Sequence, residues 1–424
     1  MDYVLILAFI AMALIGVPVA YALALSVSLV LYVYMDLPQV LIVNNIFSGI
    51  DSFSFMAVPF FMLAGAFMSA GGVTKRLVGV AQAMVGSFTG GLAQAVAVAG
   101  MFFAAISGSS AATTAAIGST MVNEMERKGY RRELATGIVA AAGTVGIVIP
   151  PSITFVVYGV IANVSIGDLF MGGVLPGLLM GLAMCLMGWY IAKREKIPAE
   201  GTFSVIHLLK TIKEAFWAMM TPVIIIGGIY GGIFTPTEAA AVAAVYGIVV
   251  GLFVYKELKI TDFPEIVFKA VIGTTLIMFL VGAAKVFGWL MTNLQIPHHI
   301  GEAVIAFTSS PMVFLMIMNV LLLVLGTLVN ASAAVVILTP IFLPVALTMG
   351  IDPLHFGVVM VVNLAIGCIT PPVGLDLFVA SAITKVPLEK VMKATMPYLG
   401  ALIVALLIIT MVPEISLFLP NALK

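Results

Sequence analysis

The sequence predicts an all-α, polytopic membrane protein built as an inverted repeat, with two re-entrant helical hairpins and two broken helices. Three observations predict it. Of the 424 residues, 62% are hydrophobic and 9% are charged, whereas about 25% of residues are charged in a soluble domain. Two Pro-Pro pairs interrupt long apolar segments, and the basic residues collect in a few short clusters. The mean hydropathy of +1.22 agrees with a chain that is mostly membrane-embedded.

The composition excludes several classes of function. The chain has 19 Lys and Arg against 19 Asp and Glu, so it lacks the basic excess of a nucleic-acid-binding protein. No phosphate-binding loop, nucleophile elbow or zinc motif occurs in the sequence, which argues against an ATP-driven or hydrolytic enzyme. Cys185 and Cys368 both lie within apolar segments and predict neither a disulfide framework nor a metal centre. We therefore expect no cofactor other than coupling ions.

The first hairpin is predicted over residues 91–123. Basic clusters flank this segment, and the positive-inside rule places both in the cytoplasm. Two full spans would need about 40 residues, and the segment is shorter than that. Its centre, residues 107–110, is Ser-Gly-Ser-Ser. A hairpin that enters and returns, with a polar tip near the membrane midplane, satisfies these constraints, provided that protein surrounds the tip.

A second hairpin, over residues 312–349, enters from the outside and has a polar centre at 330–332. The two broken helices are predicted over residues 134–163 and 354–384, each of which contains a Pro-Pro pair beside glycines. Proline removes a backbone donor and clashes with the preceding turn, so each pair should unwind its helix and expose carbonyl groups.

The Pro-Pro pairs lie 221 residues apart, and the same offset places Gly146 over Gly367 and Pro176 over Pro397. We therefore divide the chain into a first repeat (1–196), a cytoplasmic linker helix (197–213) and a second repeat (214–424). Each repeat is expected to hold two spans, a surface helix (262–269 in the second), a further span, a hairpin, a broken helix and a final span. Inverted repeats with paired broken helices are typical of secondary transporters.

The hairpin tips and the helix breaks are expected to meet and to form cation sites from oxygen ligands, which hard cations prefer. The candidate ligands are, in the first repeat, Ser107, Ser109, Gly143, Thr144 and Gly146, and in the second, Asn330, Asn363, Gly367 and Thr370. Half-helix N-termini at the same places would face an anionic substrate group. The candidate substrate contacts are Ser110, Ser152, Ser332, Gly374 and Asp376, of which Ser110 and Ser332 also belong to the cation clusters. The alternative is that these small residues only allow close helix packing.

Three charged residues in apolar segments need a separate interpretation. An intramembrane carboxylate such as Asp376 is a functional candidate, unless it is protonated or reaches the helix end. Lys285 is expected to snorkel or to face a partner helix rather than the substrate. Glu238 follows a Thr-Pro-Thr sequence and resembles a helix N-terminal acid with a structural role. His298 and His299 are expected to lie in an external loop.

The sequence resembles the large membrane subunit of the TRAP (tripartite ATP-independent periplasmic) transporters. The matching segments extend over nearly the whole chain: residues 16–20 (GVPVA), 59–65 (PFFMLAG), 105–110 (AISGSS), 146–152 (GIVIPPS), 234–240 (FTPTEAA), 338–341 (LTPI) and 369–374 (ITPPVG). The resemblance implies a sodium-coupled importer of the bacterial inner membrane with an elevator mechanism. It also implies a small four-helix membrane subunit and a periplasmic binding protein that delivers an organic acid.

The sequence departs from the family pattern at two positions. Family members usually carry an acidic residue where this chain has Asn330, and Asn where it has Asp376, so the charge has moved between elements. A stand-alone ion-coupled carrier of organic anions and, less favoured, a passive channel remain alternatives. The substrate stays open among C4-dicarboxylates, sialic acid and other sugar or keto acids.

Overall fold

The computed structural model describes residues 2–35, 37–197, 199 and 203–423. Within these ranges the regular secondary structure is entirely helical. Among the described residues, eight helical segments are long and apolar enough to cross a membrane. The chain is therefore an all-α, multi-pass membrane protein.

Five helices precede the first hairpin, and short turns separate them. A turn at Gly16, whose φ is +87°, joins the first two helices, and Pro18 caps the second. Gly72, with φ +81°, precedes the fifth. The helices are α1 (Asp2–Leu14), α2 (Val19–Val30), α3 (Val40–Ile50), α4 (Ala57–Ala70) and α5 (Val73–Val85). The sequence did not predict α5 as a separate helix.

The first hairpin and the first broken helix follow. The hairpin consists of α6 (Gly91–Ser107) and α7 (Ser110–Arg127), joined at Gly108. The broken helix consists of α8 (Arg132–Gly143), a 3-10 turn (Thr144–Ile147), the Pro-Pro pair and α9 (Ile153–Ala162). The long helix α10 (Ile166–Arg194) closes this half.

The second half begins with three spanning helices, and two of them differ from the expected arrangement. They are α11 (Val205–Tyr230), α12 (Pro236–Val249) and α13 (Phe263–Asn293). The surface helix expected at 262–269 is not a separate element, because residues 263–269 form the first part of α13, which continues without interruption past Lys269. The linker expected at 197–213 continues into α11 from Val205 onwards, whereas residues 198 and 200–202 lie outside the described residues.

The remaining helices form the second hairpin, the second broken helix and the C-terminal elements. They are α14 (Ile296–Phe307), α15 (Pro311–Leu328), α16 (Ala331–Thr348), α17 (Pro353–Gly367), α18 (Leu375–Thr384), α19 (Leu388–Met411) and α20 (Glu414–Ala422). The expectation that His298 and His299 lie in a loop is wrong, since both belong to α14. His298 pairs there with Glu302, one turn later, at 3.6 Å.

The two hairpins pack across the two halves of the molecule. Helix α7 packs against α8 in its own half and against α18 in the other, while α15 packs against α17 and α16 packs against α9. Each hairpin therefore contacts both broken helices. The hairpin helix α15 can pack closely against α17 because glycines face each other at their contact. A Cβ built on Gly367 would lie 2.6 Å from the Cα of Gly326. In lipid, such van der Waals contact between small residues holds helices together.

The topology of the first hairpin is open to a labelling test. Single cysteines at the exposed positions Lys75 and Lys128, in a background lacking Cys185 and Cys368, are expected to react with an impermeant maleimide only from the cytoplasmic side. The reason is that both positions belong to basic clusters, which stay inside. A cysteine at the exposed Asn293, which is predicted to lie on the periplasmic side, is the control and should be labelled only from that side. Periplasmic labelling at Lys128 together with cytoplasmic labelling at Lys75 would exclude a re-entrant hairpin.

Candidate functional site

The tip of the first hairpin is a compact turn stabilised by hydroxyl groups. Gly108 adopts a φ of +60° between the two helices. The hydroxyl groups of Ser107 and Thr113 lie 2.9 Å apart, and the Thr113 hydroxyl donates to the carbonyl oxygen of Ser109 at 2.8 Å. The Ser109 hydroxyl accepts from the amide of Ala112 and caps α7. Most of the polar groups of this tip are thus engaged with one another.

This tip lies directly against the first helix break. The amide of Ile153 donates to the carbonyl oxygen of Gly108 at 3.4 Å. On the other side of the tip, Cβ atoms built on Gly143 and Gly146 would lie 1.8 Å from the Thr114 hydroxyl and 2.6 Å from the Ser109 carbonyl oxygen. The absence of side chains at these glycines therefore lets the tip approach the backbone of the break. Of the five predicted cation ligands of the first repeat, Ser109, Gly143 and Gly146 lie at this contact, and Ser107 and Thr144 are next to contacting residues in the sequence.

The tip of the second hairpin lies against the first broken helix. The Asn330 side chain accepts from the amide of Ser332 at 2.9 Å and caps α16. The Ser332 hydroxyl lies 3.2 Å from the Thr154 hydroxyl in α9, and both are buried. The tip that the sequence assigns to the second cation cluster therefore also contacts the first broken helix.

The second helix break is held against its hairpin by backbone contacts. The amide of Gly374, whose φ is +62°, donates to the carbonyl oxygen of Thr327 at 3.0 Å. The amide of Asp376 donates to the carbonyl oxygen of Cys368 at 2.9 Å. Asn363 is fixed further along α17, where its side-chain amide donates to the Asn319 oxygen at 2.7 Å. These bonds join α15, α17 and the start of α18.

Three elements converge around Asp376. The Ser110 side chain, from the first hairpin, lies beside both the Asp376 carboxyl and the Cys368 thiol. The backbone of Ala331, from the second hairpin, also contacts the Cys368 thiol. Asp376 itself is 0% exposed. Both hairpin tips and the second break thus meet around one buried carboxyl group.

Several buried side-chain oxygens on the first hairpin and the second broken helix have no hydrogen-bond partner among the described residues. Among the described residues, neither carboxyl oxygen of Asp376 has a hydrogen-bond partner, and the same is true of the Asn363 side-chain oxygen and the Thr114 hydroxyl. An unpaired buried polar atom costs about 1–3 kcal/mol, and an unpaired charge costs more. A bound cation would satisfy such oxygens. In the described ranges, no three or more His, Cys, Asp or Glu side chains are grouped so that they could hold a metal ion.

Three of the predicted residues use their hydroxyl groups within the chain. Ser152 caps α9 and donates to the carbonyl oxygen of Ile147 at 2.6 Å. The hydroxyl groups of Thr144 and Thr370 donate to the backbone oxygens of Ala141 and Ile366. These side chains shape the breaks, while ligation by any of them stays a prediction.

Sequence reasoning missed Thr113, Thr114, Thr154 and Asn319. A signal for the first two was present, since positions three and four residues after Ser110 lie on the same helix face. Thr154 and Asn319 gave no such signal, because their partners Ser332 and Asn363 are distant in the sequence.

Two charged residues outside this region have identifiable surroundings. Glu238 accepts from the amide of Thr235 at 2.8 Å in a capping box, which confirms its structural role. Lys285 lines a separate cavity of about 350 Å³ between α3, α9, α13 and α16. Its side chain packs over Gly49, where an added Cβ would lie 2.6 Å from the Lys285 Cβ.

Comparison with known proteins decides the family. Residues 6–415 match the family model described as tripartite ATP-independent periplasmic transporter, DctM component. The chain belongs to this family. It is thus a large TRAP permease subunit, a transporter and not an enzyme, as the sequence resemblance implied.

Named relatives carry different substrate descriptions. The chain is 46% identical to the C4-dicarboxylate TRAP transporter large permease protein DctM of Pseudomonas aeruginosa, covering 89% of this chain and 88% of that one. It is 38% identical to the sialic acid large permease SiaM of Vibrio cholerae, covering 89% and 88%. It is also 46% identical to the isethionate permease DctMQ of Oleidesulfovibrio alaskensis, covering 97% of this chain but 65% of that longer one.

A solved structure shares the fold at low sequence identity. The crystal structure of the Alcanivorax borkumensis YdaH transporter, described as having an unusual topology, superposes with a TM-score of 0.63. It is 14% identical and covers 87% of this chain and 86% of that one. The likeness supports the fold alone.

Proposed function

We propose that this subunit imports an organic acid across the bacterial inner membrane by coupling its movement to sodium ions. The observation that carries the sodium coupling is the set of buried, unpartnered oxygens on Thr114, Asn363 and Asp376. Oxygen-only donor sets suit hard cations. The family membership supports secondary transport, and the relatives' names support an organic acid as substrate.

The substrate would bind where the hairpin tips meet the breaks. Helices α7, α9, α16 and α18 all begin in this region, at Ser110, Ile153, Ala331 and Leu375. The N-terminus of a helix carries a partial positive charge and free amides, which favour a carboxylate. Sodium bound beside Asp376 would neutralise that carboxyl group, so that a second anion could enter. Substrate binding would then depend on sodium.

The partners follow from the family. We propose that a separate small four-helix membrane subunit accompanies the chain and that a periplasmic binding protein delivers the substrate. We further propose that the hairpins and broken helices move together against the other helices, as an elevator. The interlocked packing of both hairpins on both breaks supports movement as a single body.

Uptake assays in proteoliposomes test the sodium coupling. The chain, its membrane partner and the cognate binding protein are expected to accumulate a labelled organic acid when an inward sodium gradient is imposed, without ATP. An equal potassium gradient provides the control for membrane potential and osmotic effects. Undiminished uptake in sodium-free buffer with a proton gradient alone would show that protons, and not sodium, drive the transport.

A further inference from the structure

A charged cavity of about 580 Å³ lies between the ends of three helices. It is enclosed by the start of α8, the end of α10 and the start of α19. Four basic side chains and two acidic ones line it, namely Arg131, Arg194, Lys390, Lys393, Glu133 and Glu195. The basic residues belong to clusters that the positive-inside rule places in the cytoplasm. The cavity is therefore at the inner membrane surface.

Two of the four basic side chains are neutralised and two are not. Arg131 forms an ion pair with Glu195, and Lys390 forms one with Glu133 at 3.0 Å. Arg194 and Lys393 have no ion-pair or hydrogen-bond partner within the described part of the chain. The cavity thus carries an excess of two positive charges. The N-termini of α8 and α19 lie at its wall and add partial positive charge, which the C-terminus of α10 partly offsets.

An apolar surface connects this cavity to the membrane. Its wall includes Ile191 and Pro397. From Pro397 the same face of α19 continues through Gly400, where a Cβ would meet nothing within 4 Å, to the exposed Val404 and Ile408. A free inorganic ion would leave this surface unused, whereas an acyl chain would cover it.

We propose that this cavity binds a phosphate group, held between Arg194 and Lys393, and that the group belongs to an anionic membrane phospholipid whose acyl chain lies along α19. Basic cavities between helix ends on the cytoplasmic side suit lipid phosphates. Because the phosphate would contact residues of both α10 and α19, its binding would stabilise the packing of the end of α10 against the start of α19.

Melting of the delipidated, detergent-purified chain tests this proposal. Phosphatidylglycerol is expected to raise the melting temperature in a saturable way, and net-neutral phosphatidylcholine is expected to do so much less. In the double variant R194Q/K393Q, the apparent affinity for phosphatidylglycerol should fall roughly tenfold to thirtyfold, since each basic residue near an anionic lipid surface contributes about fivefold and the two together contribute about 25-fold. The matched control K210Q/K213Q removes two exposed lysines from α11 and should keep wild-type affinity.

Melting in the presence of inorganic phosphate distinguishes a lipid phosphate from a free phosphate ion as the ligand. If phosphate alone stabilises the chain as strongly, with the same dependence on Arg194 and Lys393, the site holds but its ligand is a free phosphate. Unchanged lipid stabilisation in R194Q/K393Q would overturn the proposal, as would an equal loss in K210Q/K213Q. If the double variant fails to fold, K393Q alone provides the test, with native mass spectrometry to count retained lipid.

Discussion

The Asp376→Asn variant is expected to bind sodium about 10-fold to 150-fold more weakly than the wild type. The Asp376 carboxyl is fully buried, and neither of its oxygens has a hydrogen-bond partner among the described residues. An interaction with a charged group contributes about 1.5–3 kcal/mol, and each 1.4 kcal/mol corresponds to a tenfold change in affinity. The amide keeps the shape of the side chain, so the loss would report the charge.

The same variant is expected to be more stable than the wild type when sodium is absent. A buried carboxylate without a counter-ion destabilises the fold, and neutralising it removes that cost. Thermal melting with and without sodium should therefore show opposite effects of the substitution. Asp51→Asn, at an exposed acid, is the control and should change neither property. Wild-type sodium affinity in Asp376→Asn would show that this carboxyl does not contact the coupling ion.

The Gly143→Ala variant is expected to lose about 1–3 kcal/mol of folding free energy, a typical cost of overpacking. Gly143 is helical, and replacing a helical glycine with alanine normally stabilises a helix by about 1 kcal/mol. Here the added Cβ would lie 1.8 Å from the Thr114 hydroxyl. The clash should therefore reverse the usual sign. Chemical denaturation or thermal melting would measure the change.

A second substitution distinguishes this clash from a general defect. Adding Thr114→Ala removes the hydroxyl and should restore part of the stability, although the Thr114 Cβ at 3.1 Å keeps the contact tight. Sodium affinity in the double variant should be lower than in the wild type, because Thr114→Ala removes the hydroxyl that is the proposed sodium ligand. Gly79→Ala in α5, where a Cβ meets nothing within 4 Å, is the matched control and should stabilise the protein. A stabilising Gly143→Ala would contradict the close contact between tip and break.

Much of the fold could be predicted because charged residues and Pro-Pro pairs are rare in this chain and therefore informative. The Pro-Pro pairs marked both breaks, and the basic clusters around residues 91–123 implied the first hairpin. Where the sequence lacks such signals, the predicted element boundaries were wrong. The charged residues at 262, 265 and 269 resemble a surface helix, and the sequence does not show that they lie at the start of the spanning helix α13. Likewise, the first turn of α14 contains Pro297, His298 and His299, which resemble a loop in the sequence.

The sequence could predict which residues belong to the candidate site, but it could not predict which of them contact one another. The sequence identified polar tips and breaks and assigned each tip to its own repeat. The structure adds contacts between repeats, such as Ser332 with Thr154 and Ser110 with Asp376. Helical periodicity shows which residues share a face, but it does not show which distant helix covers that face. For this reason Thr154 and Asn319 could not be found from the sequence.

Sodium binding to the purified chain tests the central claim most directly. Isothermal titration with sodium chloride, with choline chloride as the control salt, should give a saturable heat. Thr114→Val keeps the side-chain shape and removes one buried oxygen, so it should weaken binding roughly tenfold. Thr120→Val removes an exposed hydroxyl from the same helix and should bind like the wild type. Two results would contradict a sodium site where the hairpin tips meet the helix breaks. One is the absence of a saturable sodium heat, and the other is wild-type sodium affinity in both Thr114→Val and Asp376→Asn.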